Sequence, residues 1–140
     1  MKTPHPSRLL QGLGKTVQVA ALFGGLHAMG LMQPSLVVCP ATVVAHWVRE
    51  LTTWHPQLRV FTMHAASRTI TSGSATPSQI VRAAVAGGAG HVLVTTYEGL
   101  RVHRQLLVSQ RWGYVVLDEG HRWVPIYLQS SSQPWALELQ

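Results

Sequence analysis

A short glycine-rich run, GLGKT at residues 12–16, contains the residue types that hold a phosphate chain. Backbone N–H groups at a helix N-terminus bind anions, glycines allow close approach, a lysine reaches the β/γ oxygens and a threonine hydroxyl binds Mg²⁺. The predicted phosphate-binding residues are Gly12, Leu13, Gly14, Lys15 and Thr16. The full phosphate-loop pattern also has a glycine five positions before Gly14, where this chain has Leu9, so a glycine-rich turn with a surface lysine is the alternative.

Two acids, Asp118 and Glu119, directly follow an apolar run. Phosphoryl transfer to water needs one carboxylate that holds Mg²⁺ and another that orients and deprotonates the attacking water. Asp118 is the predicted metal-binding acid and Glu119 the predicted base. Two solvated loop acids are the alternative, but the combination with GLGKT earlier in the same chain favours the catalytic interpretation.

Small and hydroxyl-bearing residues follow two other apolar runs. They are Pro40, Ala41 and Thr42 after the first run, and Thr95 and Thr96 at the end of the second. Ligands of open parallel sheets bind outside the carboxyl ends of the strands, and such residues suit contacts with nucleic-acid phosphates. Taken singly, Thr42 and Thr96 are better explained as N-caps of the helices that follow them.

These residues are separated by alternating strand-like and helix-like segments. The strand-like segments are 36–39, 59–63, 91–96 and 114–118, and the helix-like segments are 15–29, 43–54, 78–86 and 97–108. Three of the strand-like runs are nearly continuous in valine and leucine, as in strands that are buried on both faces. The alternation predicts an α/β fold with a parallel sheet sandwiched by helices.

Composition limits the remaining possibilities. The chain has 140 residues, 46% of them apolar, and a net charge of +6. These values exclude disorder, allow one domain or part of one, and favour a polyanionic partner. The single cysteine, Cys39, excludes an internal disulfide, the histidines show no zinc-ligand spacing, and no run is long enough for a membrane span. Trp47 and Trp54 are seven residues apart, which predicts core packing on one helical face.

Four blocks in order, GLGKTVQ, LVVCPATVVAHWVREL, VLVTTYEGLR and VVLDEGH, resemble those of the Swi/Snf-type DNA-dependent ATPases of helicase superfamily two. The resemblance is greatest to the Cockayne syndrome group B branch of DNA-repair translocases. It covers about Gly12 to Arg122.

The resemblance implies a RecA-like P-loop NTPase lobe that binds ATP and Mg²⁺ through the residues of GLGKT. It makes Asp118 and Glu119 the Walker B pair and gives His121 a role in coupling hydrolysis to DNA. Residues 40–42 and 95–96 would contact the backbone of double-stranded DNA. A nuclear location, a role in repair or chromatin remodelling and partners in the chromatin or transcription machinery would follow through the parent protein, without any membrane.

Departures from the family pattern divide the chain into three parts. Residues 1–11 are divergent, because Leu9-Leu10-Gln11 stands where the family has an acidic triplet; residues 12–122 form a partial lobe; and residues 123–140 are predicted to be an unstructured or aberrant tail. The strand expected beside the Walker B strand is missing, as is the second lobe with its arginine finger. We therefore expect an incomplete lobe that is inactive on its own. The alternatives are a truncated, non-catalytic chain that binds DNA weakly, and an unrelated phosphate-loop protein such as a small kinase.

Overall fold

The computed structural model describes residues 14–63 and 75–119 in full and residues 136–139 by their backbone. The helices of these ranges are α1 (Lys15–Ala28), α2 (Val44–Trp54), α3 (Pro77–Ala86), α4 (Tyr97–Val102) and α5 (Arg104–Val108). The strands are β1 (Ser35–Cys39), β2 (Arg59–Met63), β3 (His91–Thr96), β4 (Tyr114–Asp118) and β5 (Ala136–Leu139). A single 3₁₀ turn, Ala41–Val43, leads into α2.

The strands form one sheet in the order β2-β3-β1-β4-β5, and every neighbouring pair is parallel. In the central strand β1, Val37 lies between Val94 of β3 and Val116 of β4. All five residues of β1 are buried, which is why its residues 36–39 are continuously apolar and not alternating. The predicted parallel α/β fold is confirmed.

Helices cover both faces of the sheet. Alternate strand residues point to opposite sides, so Val37 and Val116 pack with α1 and α2, whereas Leu36 and Leu117 pack with α3, α4 and α5. The two apolar clusters are separated by the sheet itself. This confirms the predicted sandwich.

Helix α1 lies antiparallel to the strands. Its later residues contact the amino ends of the strands: the rings of Phe23 and Tyr114 are 6.3 Å apart, and a Cβ on Gly90 would come within 3.0 Å of the His27 ring. A helix of 14 residues is about 21 Å long, comparable with the strands beside it. The start of α1, at Gly14 and Lys15, is therefore at the carboxyl-end edge of the sheet.

Helix boundaries follow local capping. Helix α3 begins with a capping box in which the Thr76 hydroxyl accepts from the Gln79 N–H at 3.3 Å, and the Gln79 side chain accepts from the Thr76 N–H at 2.9 Å. The predicted helix 97–108 is instead two helices, which meet at His103. Val102 and His103 both have lower helix propensity than alanine or leucine, which favours a break at this point. No helix of the described ranges has the length and apolar character needed to cross a bilayer.

The predicted unstructured tail is wrong for residues 136–139. These four residues form β5, which pairs with the side of β4 that faces away from β1. Backbone hydrogen bonding to an otherwise unpaired strand edge outweighs the weak local pattern of ALEL. Sequence reasoning expected this side of β4 to lack its neighbour, so the described sheet is more complete than expected. The divergent segment 1–11 lies outside the described residues.

Candidate nucleotide site

The predicted site residues converge on one edge of the sheet. Parallel pairing aligns the ends of β3, β1 and β4, with Cys39 opposite Thr96 and Val38 opposite Leu117. Residues 40–42, 95–96 and 118–119 therefore all lie at the carboxyl-end edge, where α1 also begins. Ligands of open parallel sheets bind at this edge.

The start of α1 is not capped by a side chain of the described residues. Gly14 precedes the helix, no side chain accepts a hydrogen bond from its first turn, and that turn contains no acid. The N–H groups of the first turn have no partner within the helix, and together with the helix dipole they make this end favourable for an anion, to which Lys15 adds a full positive charge. Lys15 and Thr16 are both partly exposed. Gly12 and Leu13 lie outside the described residues.

Asp118 is held from both faces of the sheet. On one face the indole N–H of Trp47 donates to its Oδ2 at 2.9 Å. On the other, the Tyr97 hydroxyl donates to its backbone oxygen at 2.7 Å. Asp118 is partly buried, and both of these partners are buried. The orientation of its carboxylate is thus set by long-range contacts.

Glu119 has a left-handed backbone conformation, with φ at 56°. This region is uncommon for a residue with a side chain, costs about 1–3 kcal/mol and is concentrated at functional sites. The strain falls on the residue predicted to be the base, immediately after the predicted metal-binding acid. His121, the predicted coupling residue, lies outside the described residues.

The hydroxyls of Thr95 and Thr96 are committed to the protein. Thr95 donates to the backbone oxygen of Met63, which ties β3 to β2, and Thr96 accepts from the Gly99 N–H at 2.9 Å. Both threonines are buried. Thr96 is therefore the N-cap of α4, as the capping alternative predicted.

Residues 40–42, unlike Thr95 and Thr96, are accessible to a partner. Ala41 and Thr42 are exposed and belong to the 3₁₀ turn. The predicted N-cap role of Thr42 is wrong, because the 3₁₀ turn moves the start of α2 to Val44 and makes Val43 its N-cap. Of the predicted DNA-contacting residues, only these two are exposed in the structure.

Cys39 lies at the end of β1 beside the acidic residues. Its thiol is buried and donates to the Thr95 backbone oxygen at 3.7 Å. Burial, and then the negative charge of Asp118, raise the pKa of the Cys39 thiol to about 12. The thiol therefore stays protonated at neutral pH.

Sequence reasoning missed Trp47 and Tyr97 as parts of the site. Trp47 is fully buried, as predicted, whereas Trp54 is 56% exposed and donates to Glu50, so the prediction that both tryptophans belong to the core is wrong for Trp54. The signal for Trp47 is chemical: a buried indole N–H needs an acceptor, and the acids at the strand end are candidates.

Within the described ranges, no three histidine, cysteine or acidic residues are close enough to form a metal site. That finding concerns metals held entirely by protein. Mg²⁺ in phosphoryl-transfer sites is usually bound through one or two carboxylates, with the remaining positions filled by water and substrate phosphates. Thr16 and Asp118 supply hard oxygen atoms of the kind that Mg²⁺ prefers, so these residues fit the ion.

A parallel sheet between two helical layers, with a glycine-led helix and an acidic strand end at one edge, matches the RecA-like lobe of P-loop NTPases. The SNF2-related domain family matches residues 11–133, and the chain belongs to this family.

Related proteins and a solved structure agree with this assignment. The chain is 36% identical to the DNA excision repair protein CSB of Oryza sativa subsp. japonica over 137 residues, and 34% identical to the DNA repair and recombination protein RAD26 of Saccharomyces cerevisiae over 151 residues. Each match covers 79% of this chain, but only 12% of the first protein and 14% of the second. The SWI2/SNF2 ATPase core of Sulfolobus solfataricus, solved with dsDNA, is 31% identical with a TM-score of 0.57, covering 79% of this chain and 20% of that one.

Proposed function

We propose that this chain is the ATP-binding lobe of a Swi/Snf-type, DNA-dependent ATPase that acts in DNA repair or chromatin remodelling. The observation that carries the proposal is the shared edge: the start of α1 and the acids after β4 lie at the same end of the sheet. Family membership supports it. Two of the relatives are named as a DNA excision repair protein and a DNA repair and recombination protein. A nuclear location belongs to the same proposal.

The phosphate contacts are assigned to the start of α1. Gly12, Leu13 and Gly14 would offer backbone N–H groups, and Lys15 would reach the β/γ oxygens. Among the described residues, no side chain caps the start of α1 and no acid lies in its first turn. This supports the role, because either group would compete with an anion.

The acids are assigned to metal and water. Thr16 and Asp118 would hold Mg²⁺, which supplies charge neutralisation at the phosphate oxygens when bound. Glu119 would orient the attacking water and accept its proton, and His121 would link this step to DNA. The contact of Trp47 with Asp118 supports the assignment, since it fixes the carboxylate while the other oxygen accepts no hydrogen bond from a described residue.

Double-stranded DNA is the proposed partner. Exposed Ala41 and Thr42, with Pro40, would contact a phosphate backbone at the same edge. The buried hydroxyls of Thr95 and Thr96 would act indirectly, by fixing the loop after β3. The net charge of +6 favours such a polyanion.

The test is equilibrium binding of a fluorescent ATP analogue to the chain and two variants. Lys15→Ala removes the charged contact and is expected to abolish binding. Arg82→Ala removes an exposed cation from α3, on the other face of the sheet, and is the matched control that should bind like the parent. Equal affinity in the parent and Lys15→Ala would exclude the proposed phosphate site.

A further inference from the structure

The two buried indoles of the described residues, those of Trp47 and Trp112, donate to different kinds of acceptor. An indole has one donor and no acceptor, so a buried indole needs a partner, but a backbone oxygen is sufficient. Trp112 illustrates this: it is also buried, and its N–H donates to the backbone oxygen of Leu107 at 2.8 Å. Trp47 instead donates to a carboxylate 71 residues away, that of Asp118.

This bond restricts the Asp118 side chain. A carboxylate at the end of a strand can rotate about its side-chain torsions and present either oxygen to a ligand. The bond from Trp47 engages Oδ2, and the bond from Tyr97 to the backbone oxygen holds the same residue from the opposite face of the sheet. Among the described residues, no donor engages Oδ1, and Asp118 is partly exposed.

Trp47 is itself rigid. It has no exposed surface, and it packs between the sheet and α1 with Phe23 and Val116 among the residues of its cluster. A side chain packed in this way cannot follow the carboxylate if the carboxylate moves. The helix that carries Trp47 also begins directly after the exposed 3₁₀ turn at residues 41–43, so the same element connects the proposed DNA contacts to Asp118.

We infer that Trp47 is a positioning residue, which fixes the Asp118 carboxylate through Oδ2 and so leaves the second oxygen as the one that would bind Mg²⁺. The inference rests on the proposed function, because it gives a role to the metal-binding acid. Partners of this kind, one contact away from a metal, typically change metal affinity by 10–100-fold when they are removed.

The first test compares Trp47→Phe with Trp112→Phe. Both remove a buried indole N–H and leave an aromatic ring, so both should cost stability. The readout is the ratio of ATP-analogue affinity in saturating Mg²⁺ to that in a chelator. We expect Trp47→Phe to lower this ratio about 10-fold or more and to leave affinity in the chelator unchanged, whereas Trp112→Phe keeps the parent ratio. An unchanged ratio in Trp47→Phe, or the same decrease in both variants, would overturn the inference.

The second test reads the contact without nucleotide. In chain labelled with ¹⁵N-tryptophan, the indole signal of Trp47 is the one that Trp47→Phe removes. Asp118→Asn replaces a charged acceptor by a neutral one, so this signal should move upfield while that of Trp112 stays in place. If Asp118→Asn leaves the chemical shift of the Trp47 indole unchanged, the contact is absent.

The two tests separate the inference from the function. If the parent binds ATP through Lys15 but the Mg²⁺ ratio does not depend on Trp47, the inference fails and the function stands. If the parent binds no ATP, the proposed function fails and the positioning role fails with it, while the indole signal still shows whether the contact exists.

Discussion

Gly99 gives a sharp test of the packing behind the site. It lies in α4, and a Cβ at this position would be 2.4 Å from the Thr95 hydroxyl oxygen and 3.2 Å from the Met63 backbone oxygen. These are the two atoms of the bond that ties β3 to β2. Gly99→Ala therefore pushes the Thr95 hydroxyl away from the Met63 backbone oxygen. Both atoms are in the packed interior, so the clash cannot be relieved by movement into solvent.

The expected magnitude follows from three effects. Overpacking costs about 1–3 kcal/mol, and loss of the buried hydrogen bond costs about 1 kcal/mol. Alanine in place of glycine within a helix stabilises the folded state by about 0.5–1 kcal/mol. We expect Gly99→Ala to lower the free energy of unfolding by about 1–3 kcal/mol, which corresponds to a Tm about 4–12 °C lower.

Gly25→Ala is the matched control, because Gly25 lies in α1 with no atom within 4 Å of the added Cβ. Only the helix effect remains there, so Gly25→Ala should be about 0.5–1 kcal/mol more stable than the parent. Thermal and urea unfolding followed by circular dichroism measure both variants. In addition, Thr95→Ala should reduce the cost of Gly99→Ala, since it removes the clashing oxygen. If Gly99→Ala were as stable as Gly25→Ala, the described packing of α4 on β3 would be refuted.

Two further predictions concern ATP hydrolysis and DNA binding. The 140-residue chain on its own should show no DNA-stimulated phosphate release above the background of Glu119→Gln, because an arginine finger worth about 10³–10⁵ in rate comes from a second lobe in the family that the sequence resembles. Turnover of about 1 s⁻¹ that Glu119→Gln abolishes would contradict this. Duplex DNA should bind through phosphates, so affinity measured by fluorescence anisotropy should fall steeply with salt. Discrimination among duplex sequences by more than about tenfold at fixed ionic strength would contradict a phosphate-contact mode.

Much of the fold could be predicted because its strands have a simple physical signature. The runs that became β1, β3 and β4 are continuous in valine and leucine, as required of strands covered on both faces. The strand β5 could not be predicted in this way. Four residues are too few for a periodic pattern, and their pairing depends on the open edge of β4, a property of the whole sheet and not of the local sequence.

The site was predictable where its chemistry lies in contiguous residues. The acids after β4 and the helix that begins at Lys15 are local patterns, and parallel pairing brings their ends to one edge. The contact between Trp47 and Asp118 joins residues 71 apart, so no local pattern contains it. The two threonines predicted as N-caps show the same limit. Thr96 does cap α4, but Thr42 lies within a 3₁₀ turn that the local sequence did not predict, and it caps no α-helix.

The most direct test of the account is a map of amide shifts when Mg²⁺ and ATP are added to ¹⁵N-labelled chain. The start of α1 and the end of β4 are proposed to form one site. We therefore expect the signals of Gly14, Lys15 and Thr16 to shift together with those of Asp118 and Glu119. The signals of the segments directly before β2 and β3, at the opposite edge of the sheet, should not shift. Shifts confined to that opposite edge, or shifts in α1 without any in Asp118 and Glu119, would contradict the proposal.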